Sequence, residues 1–303
     1  MALRLDGGPV ITDGGLETWL IFQRGIELPH FASCVLLDDD DGVETLRSYF
    51  GPYLELARVH GAGFLLDTTT WRASGEWGAR LGYSDAALDS LNRRAVEVAR
   101  DIGGGAEGVA VVGIVGPRGD GYSPAFLMDE AEAERYHTRQ VETLADAGAD
   151  VVKGVTLTYP AEAIGIVRAA AAAGAPAAVS FTVETDGRLP DGTTLREAVE
   201  RVDDATDGAA AYYMVNCAHP THIAPAVEPG GAWLERIRGI RANASRRSHA
   251  ELDGSGELDA GDPAELASSL ARLREQLPAV TILGGCCGTD ERHIAAICGA
   301  CLG

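Results

Sequence analysis

Three cysteines hold the most distinctive chemistry in this chain. Two are adjacent, Cys286 and Cys287 within LGGCCGTDERH (283–293), and the third, Cys217, closes the run AYYMVNC (211–217). Three thiolates suit Zn²⁺, which takes sulfur and nitrogen ligands in a tetrahedron with Zn–S near ~2.3 Å. A structural zinc is normally closed by a fourth protein ligand, whereas three ligands leave a position for substrate. Such a site is formally anionic, and a substrate thiolate joining it would make it more so, which keeps that sulfur nucleophilic while the metal holds its proton off at neutral pH. The expected chemistry is thiol activation. Successive strand side chains point to opposite faces, so adjacent cysteines can share one metal only where the strand ends; Gly284, Gly285 and Gly288 predict a turn there.

Other uses of the six cysteines compete with this one. The CGAC run (298–301) together with Cys286 and Cys287 would make a four-cysteine structural zinc site, and oxidation would offer a vicinal Cys286–Cys287 disulfide. A redox CxxC belongs at a helix start in a thioredoxin-like unit, but this one lies at a helix end. Cys298 and Cys301 therefore read as packing residues, and Cys34 as a small buried hydrophobe. His219, His222 and His293 are ligand types, yet each sits at or in a helix start, where surface or hydrogen-bonding roles are expected.

The elements that must position these residues form eight strand-helix units. Strands are expected at 9–15, 63–70, 109–117, 150–157, 177–184, 211–217, 237–243 and 280–288. Helices fit between them at 43–61, 85–100, 129–147, 160–173, 194–203, 220–226, 263–277 and 290–301. The expectation is an α/β chain in which 1–303 forms a single (β/α)₈ TIM barrel, with an open doubly wound sheet as the alternative. Barrels gather chemistry at the carboxyl ends of their strands. Here those ends hold Asp13, Thr68 to Thr70, Gly116, Thr156, Thr182, Asn216, Cys217, Asn243, Cys286 and Cys287. The polar, Gly-rich stretch 244–262 predicts a long functional or mobile loop.

Composition excludes several classes. With 45 Asp plus Glu against 25 Lys plus Arg, the net charge of −20 repels phosphate backbones and argues against a nucleic-acid partner. No apolar run approaches the ~20 residues of a membrane helix. The opening MALRLDGGPV lacks a secretory pattern, so a reducing, cytoplasmic setting is expected.

The chain resembles the homocysteine S-methyltransferase family along essentially its whole length, through DGGLETWL, GPRGDGY, AGADVV, SFTVETDGRLPDGTTLREAV, VNCAHP and GGCCGTDERHI. The last two together resemble that family's zinc signature. The resemblance implies that Cys217, Cys286 and Cys287 bind zinc, and that the sulfur of the acceptor becomes the fourth ligand. It implies that Asp13 meets the amino group of homocysteine beside the Gly14 and Gly15 backbone, and that Asn216 supports the metal loop. The implied reaction carries a methyl group from S-methylmethionine or S-adenosylmethionine to homocysteine, giving methionine. Its partners would be a small-molecule thiol acceptor and a methyl donor.

Departures from the family pattern fall in the substrate pocket. Where family members have Glu-Thr at the end of the fourth strand, this chain has Val155-Thr156, and one carboxylate is missing. Glu17 and Glu184 are candidate replacements. After the second strand, Thr70, Trp71 and Arg72 stand where betaine enzymes have aromatics around a quaternary ammonium. An unpaired Arg72 would repel an onium donor by on the order of 4 kcal/mol at ~4 Å and an effective dielectric near 20, but it could hold a substrate carboxylate. These departures keep two rivals in view: another thiol or selenol acceptor, and a zinc-binding barrel without turnover.

Overall fold

The computed structural model describes residues 8–122, 124 and 126–302. Its strands are β1 (Val10–Ile11), β2 (Gly63–Asp67), β3 (Val109–Val115), β4 (Val151–Leu157), β5 (Ala177–Phe181), β6 (Ala210–Ala218), β7 (Ile237–Ala242) and β8 (Ile282–Gly285). All run parallel, each pairs with the next in sequence, and β1 also pairs with β8, with Val10 opposite Ile282. That last pairing closes the barrel and rules out the open sheet.

Eight helices follow the strands: α1 (Asp40–Val59), α2 (Asp85–Gly103), α3 (Glu130–Asp146), α4 (Pro160–Ala172), α5 (Leu195–Thr206), α6 (Pro220–Val227), α7 (Pro263–Arg274) and α8 (Glu291–Cys301). Their starts follow capping chemistry. Asp129 accepts from the Glu132 amide at α3, and Thr194 and Glu197 form a reciprocal capping box at α5. The short α6 forms despite Pro225, with Pro220 in its first turn and His219 as its cap. Among the described residues, no helix is long and apolar enough to cross a membrane.

Sequence periodicity missed several short pieces. Leu16–Thr18 runs into a π-helical turn over Trp19–Gln23, and Gly75–Arg80 is helical after β2. Part of the expected loop at 244–262 is the helix His249–Asp253, started by a Ser248–Glu251 capping box. Every strand but β6 is shorter than expected, β1 above all, and at β1 and β2 the polar residues of the carboxyl end leave the ladder to form the site.

The core has two layers. Leu, Val, Ile and aromatic residues pack between the barrel and its helices, while Val10, Leu65, Val112, Val151, Ala178, Tyr212, Met214 and Ile282 fill the barrel interior. Strand alternation sends Lys153 inward with Val151 and Val155, Asp67 with Leu65, and Arg241 with Gly239. The apolar floor is therefore capped by a charged layer, and the cysteines stand at this same end.

Candidate metal centre and adjoining cavities

The ends of β6 and β8 bring the predicted thiols together. The Sγ atoms of Cys217, Cys286 and Cys287 all lie within 4.8 Å of one another. Three cysteine sulfurs gathered this closely fit a zinc ion in number and type of donor. Among the described residues, no His, Asp or Glu joins this cluster. The vicinal disulfide is not formed: Cys286 pairs with Cys217, their sulfurs 2.50 Å apart, and Cys287 is free. Cys298 is buried and Cys301 half-buried on α8, outside the cluster, so the four-cysteine site is not built.

The turn that presents the adjacent pair uses its glycines in two ways. Gly288 has φ +80°, a left-handed conformation that L side chains rarely adopt. Gly284 and Gly285 serve close approach instead of a turn: both lie within β8, and a Cβ on either would collide with Thr12 or Thr289.

Backbone strain marks the facing strand. Cys217 (φ 54°) and Thr156 (φ 61°) are both left-handed, a conformation that costs of order 1–3 kcal/mol for a non-glycine residue. Asn216 ties the two together. Its Oδ1 accepts from the Thr156 amide at 3.0 Å and from Ser180 Oγ at 2.5 Å, and its Nδ2 donates to Thr156 Oγ1 at 2.8 Å. The Cys217 carbonyl accepts from Asn243 Nδ2 at 3.0 Å and from His249 Nε2 at 2.5 Å. His249 in turn places Nδ1 3.1 Å from Glu184 and packs at a tilt against Tyr122, whose hydroxyl is 4.0 Å from Cys287 Sγ.

Two linked cavities open beside the sulfurs. The first, of about 90 Å³, is lined by all three cysteines and by Asp13, Gly14, Gly15, Glu17, Trp71, Val155, Thr156, Asn216 and Arg241. The second, of about 360 Å³, includes Arg72, Asp120, His249, Asp253, Glu257 and Asp259. Thr18, Phe31, Trp71, Tyr122 and Cys287 border both.

Asp13 belongs to a buried network in the first cavity. Arg241 Nη2 donates to Asp13 at 2.7 Å and to the Gly14 carbonyl at 3.1 Å, its Nε donates to the Gly285 carbonyl, and its Nη1 reaches Asp67. Lys153, with no exposed surface, donates to both oxygens of Asp67 at 2.9 and 3.1 Å. Tyr49 donates to the other oxygen of Asp13. Two acids and two bases thus neutralise one another. Burial pushes Asp13 up to about 6 against the opposing pull of Arg241, and burial also lowers Lys153. Gly15 donates its amide to the Thr289 carbonyl and Gly285 donates to the Asp13 carbonyl, which locks the 13–15 loop onto the cysteine turn.

The remaining predicted residues divide. Trp71 donates from Nε1 to the Val155 carbonyl at 3.2 Å. Thr70 lines neither cavity; its hydroxyl is spent on the Ile114 carbonyl at 2.6 Å, and Thr68 and Thr69 face the first cavity in its place. Glu17 lies in the first cavity, held by Ser33 Oγ at 2.7 Å, while Glu184 sits behind His249 and lines neither. His219 caps α6, His222 bonds the Arg246 carbonyl, and His293 bonds Asp290 and the Ala260 carbonyl, as hydrogen-bonding residues do. Sequence reasoning missed Asp67, Lys153, Arg241, Tyr122 and His249. The signal for three of these was a charged residue at an inward strand position, in FLLD, VVKGV and GIRA.

Known proteins share this architecture. A family model described as homocysteine S-methyltransferase matches residues 10–301. Selenocysteine Se-methyltransferase of Brassica oleracea var. italica is 25% identical, over 97% of this chain and 89% of its own length. Homocysteine S-methyltransferase of Escherichia coli (strain K12) is 27% identical over 76% of this chain and 77% of its own. Among solved structures, the E. coli homocysteine methyltransferase MmuM in its oxidised form superposes with TM-score 0.78 at 24% identity, covering 98% of each chain. Its metallated form gives 0.75 at 23%, covering 97% of this chain and 98% of that one. The chain belongs to the homocysteine S-methyltransferase family, and is a methyltransferase that acts on a thiol or selenol acceptor.

Proposed function

We propose that the protein transfers a methyl group from a sulfonium donor, S-methylmethionine or S-adenosylmethionine, to homocysteine, giving methionine. The observation that carries this reading is the convergence of three cysteine sulfurs at the junction of two cavities, one for each substrate. Cys217, Cys286 and Cys287 would hold zinc. When bound, zinc supplies a Lewis acid that keeps a thiol deprotonated at neutral pH.

The chain's own residues do the rest. Asn243 and His249 hold the Cys217 carbonyl, and Asn216, the residue before it, is anchored to Thr156, which keeps the Cys217 sulfur aimed at the other two. The acceptor occupies the first cavity, where Asp13 takes its ammonium and the Gly14–Gly15 backbone borders its carboxylate. The donor enters through the second cavity, its methyl directed past Tyr122 and Trp71 at the shared opening. The acceptor sulfur, having lost its proton, forms the new bond to the methyl carbon. The bond from that carbon to the sulfonium breaks, and its electron pair returns to the donor sulfur as a thioether. Within this reading one domain carries the reaction, in a cytoplasm that keeps the thiols reduced.

Cys286→Ala is expected to lose both stoichiometric metal and methyl transfer, measured by metal analysis and by mass spectrometry of methionine; a metal-free variant with full activity would sink the proposal. A selenol or a different thiol is the second reading. It is favoured by Val155, which presents an apolar wall to the acceptor cavity, and by the likeness to the Brassica Se-methyltransferase. Competition between homocysteine and a panel of thiols and selenols separates the two.

A further inference from the structure

Arg72 is buried, charged and almost unused. It is 7% exposed, and its guanidinium carbon stands 4.1 Å from the ring centre of Trp71 and 3.7 Å from that of Trp77. Of its five N–H donors, one is engaged among the described residues, by the Gly119 carbonyl at 3.0 Å. Its Nε is fully buried with no partner. Leaving buried donors of a charged group unmatched is expensive, and each such group calls for an explanation.

The tryptophans supply part of it. Both indole rings lie against the guanidinium carbon, a contact with their π clouds that uses none of its hydrogen-bond donors. The pair therefore fixes the orientation of the fork without consuming its donors. Burial lowers Arg72 to about 10, which leaves it cationic at neutral pH. The fork borders the 360 Å³ cavity that opens onto Cys287. The same cavity carries Asp120, Asp253, Glu257 and Asp259, so a ligand filling it meets one positive group and several negative ones.

We propose that Arg72 binds the carboxylate of the methyl donor, which makes the preferred donor a zwitterion bearing both a sulfonium and a carboxylate. The proposal rests on the second cavity being the donor chamber. A planar carboxylate matches the arginine fork, and the acidic remainder of the chamber suits the cationic part of the same molecule. Arg72, rather than repelling an onium donor outright, selects those that carry their own counter-charge.

The test compares S-methyl-L-methionine with its carboxamide, which differs at the carboxylate, in the full-length, zinc-loaded protein. The wild type is expected to favour the carboxylate by roughly 10- to 100-fold in kcat/KM, the value of one charged hydrogen-bonding contact, and mainly through donor KM. Arg72→Gln should cut that preference at least tenfold, and Arg72→Lys, which keeps the charge without the fork, should fall between. A wild type indifferent to the carboxylate, or an Arg72→Gln variant that lowers both donors equally, overturns the proposal. Tryptophan fluorescence, read without acceptor, reports binding beside Trp71 and Trp77 whether or not turnover occurs. A carboxylate-dependent change in the wild type that Arg72→Gln abolishes upholds the anchor even if no methyl transfer is found. Normal turnover with neither a carboxylate preference nor that change removes the anchor alone.

Discussion

The two cavities each hold a buried arginine, and the two arginines are opposites. Arg241 has Asp13, Asp67 and two backbone carbonyls around it, with Lys153 completing the balance. Arg72 has two indole faces and one carbonyl. Their exposures, 8% and 7%, are the same for practical purposes, so burial does not distinguish them. Satisfaction does. A guanidinium whose donors are spent on the protein specifies structure, whereas one with spare donors is a place for a ligand.

The largest expected effect tests that contrast through stability. Asp67→Ala leaves Lys153 without its carboxylate and Arg241 with one fewer, and breaking a buried ion pair from one side costs about 3–5 kcal/mol. Arg72→Gln removes a charge that forms no ion pair among the described residues, although Asp120 attracts it from across the cavity. It should be near neutral, because lost stacking of about 1–2 kcal/mol is offset by the relief of an unmatched buried charge. Thermal or urea unfolding of both variants measures the gap; equal losses would mean that Arg72 is as structural as Arg241.

Much of this contrast was invisible in the sequence, while the barrel was not. Apolar runs such as VAVVGIV and the caps Asp129 and Thr194 are local signals, and they place β3, α3 and α5 within a few residues. The three cysteines were legible because sulfur clustering is rare and the barrel's order makes the ends of β6 and β8 near neighbours. The network around Asp13 was not, since its members come from β2, β4 and β7, and nothing local tells an inward lysine from an outward one. His249 was hidden in a loop-like composition, although Ser248 and Glu251 spell the capping box that begins its helix. Thr70 misled because three consecutive threonines follow β2 and only the fold decides which of them faces the cavity.

A second effect asks whether the rigidity of the first cavity extends to the sulfurs. Asn216→Ala removes three hydrogen bonds, two to the left-handed Thr156 and one from Ser180, beside the left-handed Cys217 that follows it in the chain. Supports of this kind are typically worth 10- to 100-fold in metal affinity or activity. Metal titration against a competing chelator should show the loss, with donor KM much less affected because Arg72 is untouched. A rise in donor KM with unchanged metal affinity would place Asn216 with the donor and dissolve the division between the cavities.

The smallest effect separates the cavities by pH. Asp13 titrates near 6, raised by burial and restrained by Arg241, so it is ionised above that value and neutral below it. An acceptor held through its ammonium should therefore show KM rising as pH falls below about 6, by at most roughly tenfold per unit. Arg72, lowered by burial only to about 10, stays charged throughout this range, so donor KM should be flat from pH 6 to 9. Steady-state kinetics of the metal-loaded enzyme, with each substrate varied in turn, read the two profiles. Asp13→Asn should raise acceptor KM at pH 7 and flatten its rise below pH 6. If that rise survives in Asp13→Asn, the ammonium lies on another carboxylate of the cavity, and Glu17, held by Ser33 and in no ion pair among the described residues, is next in line.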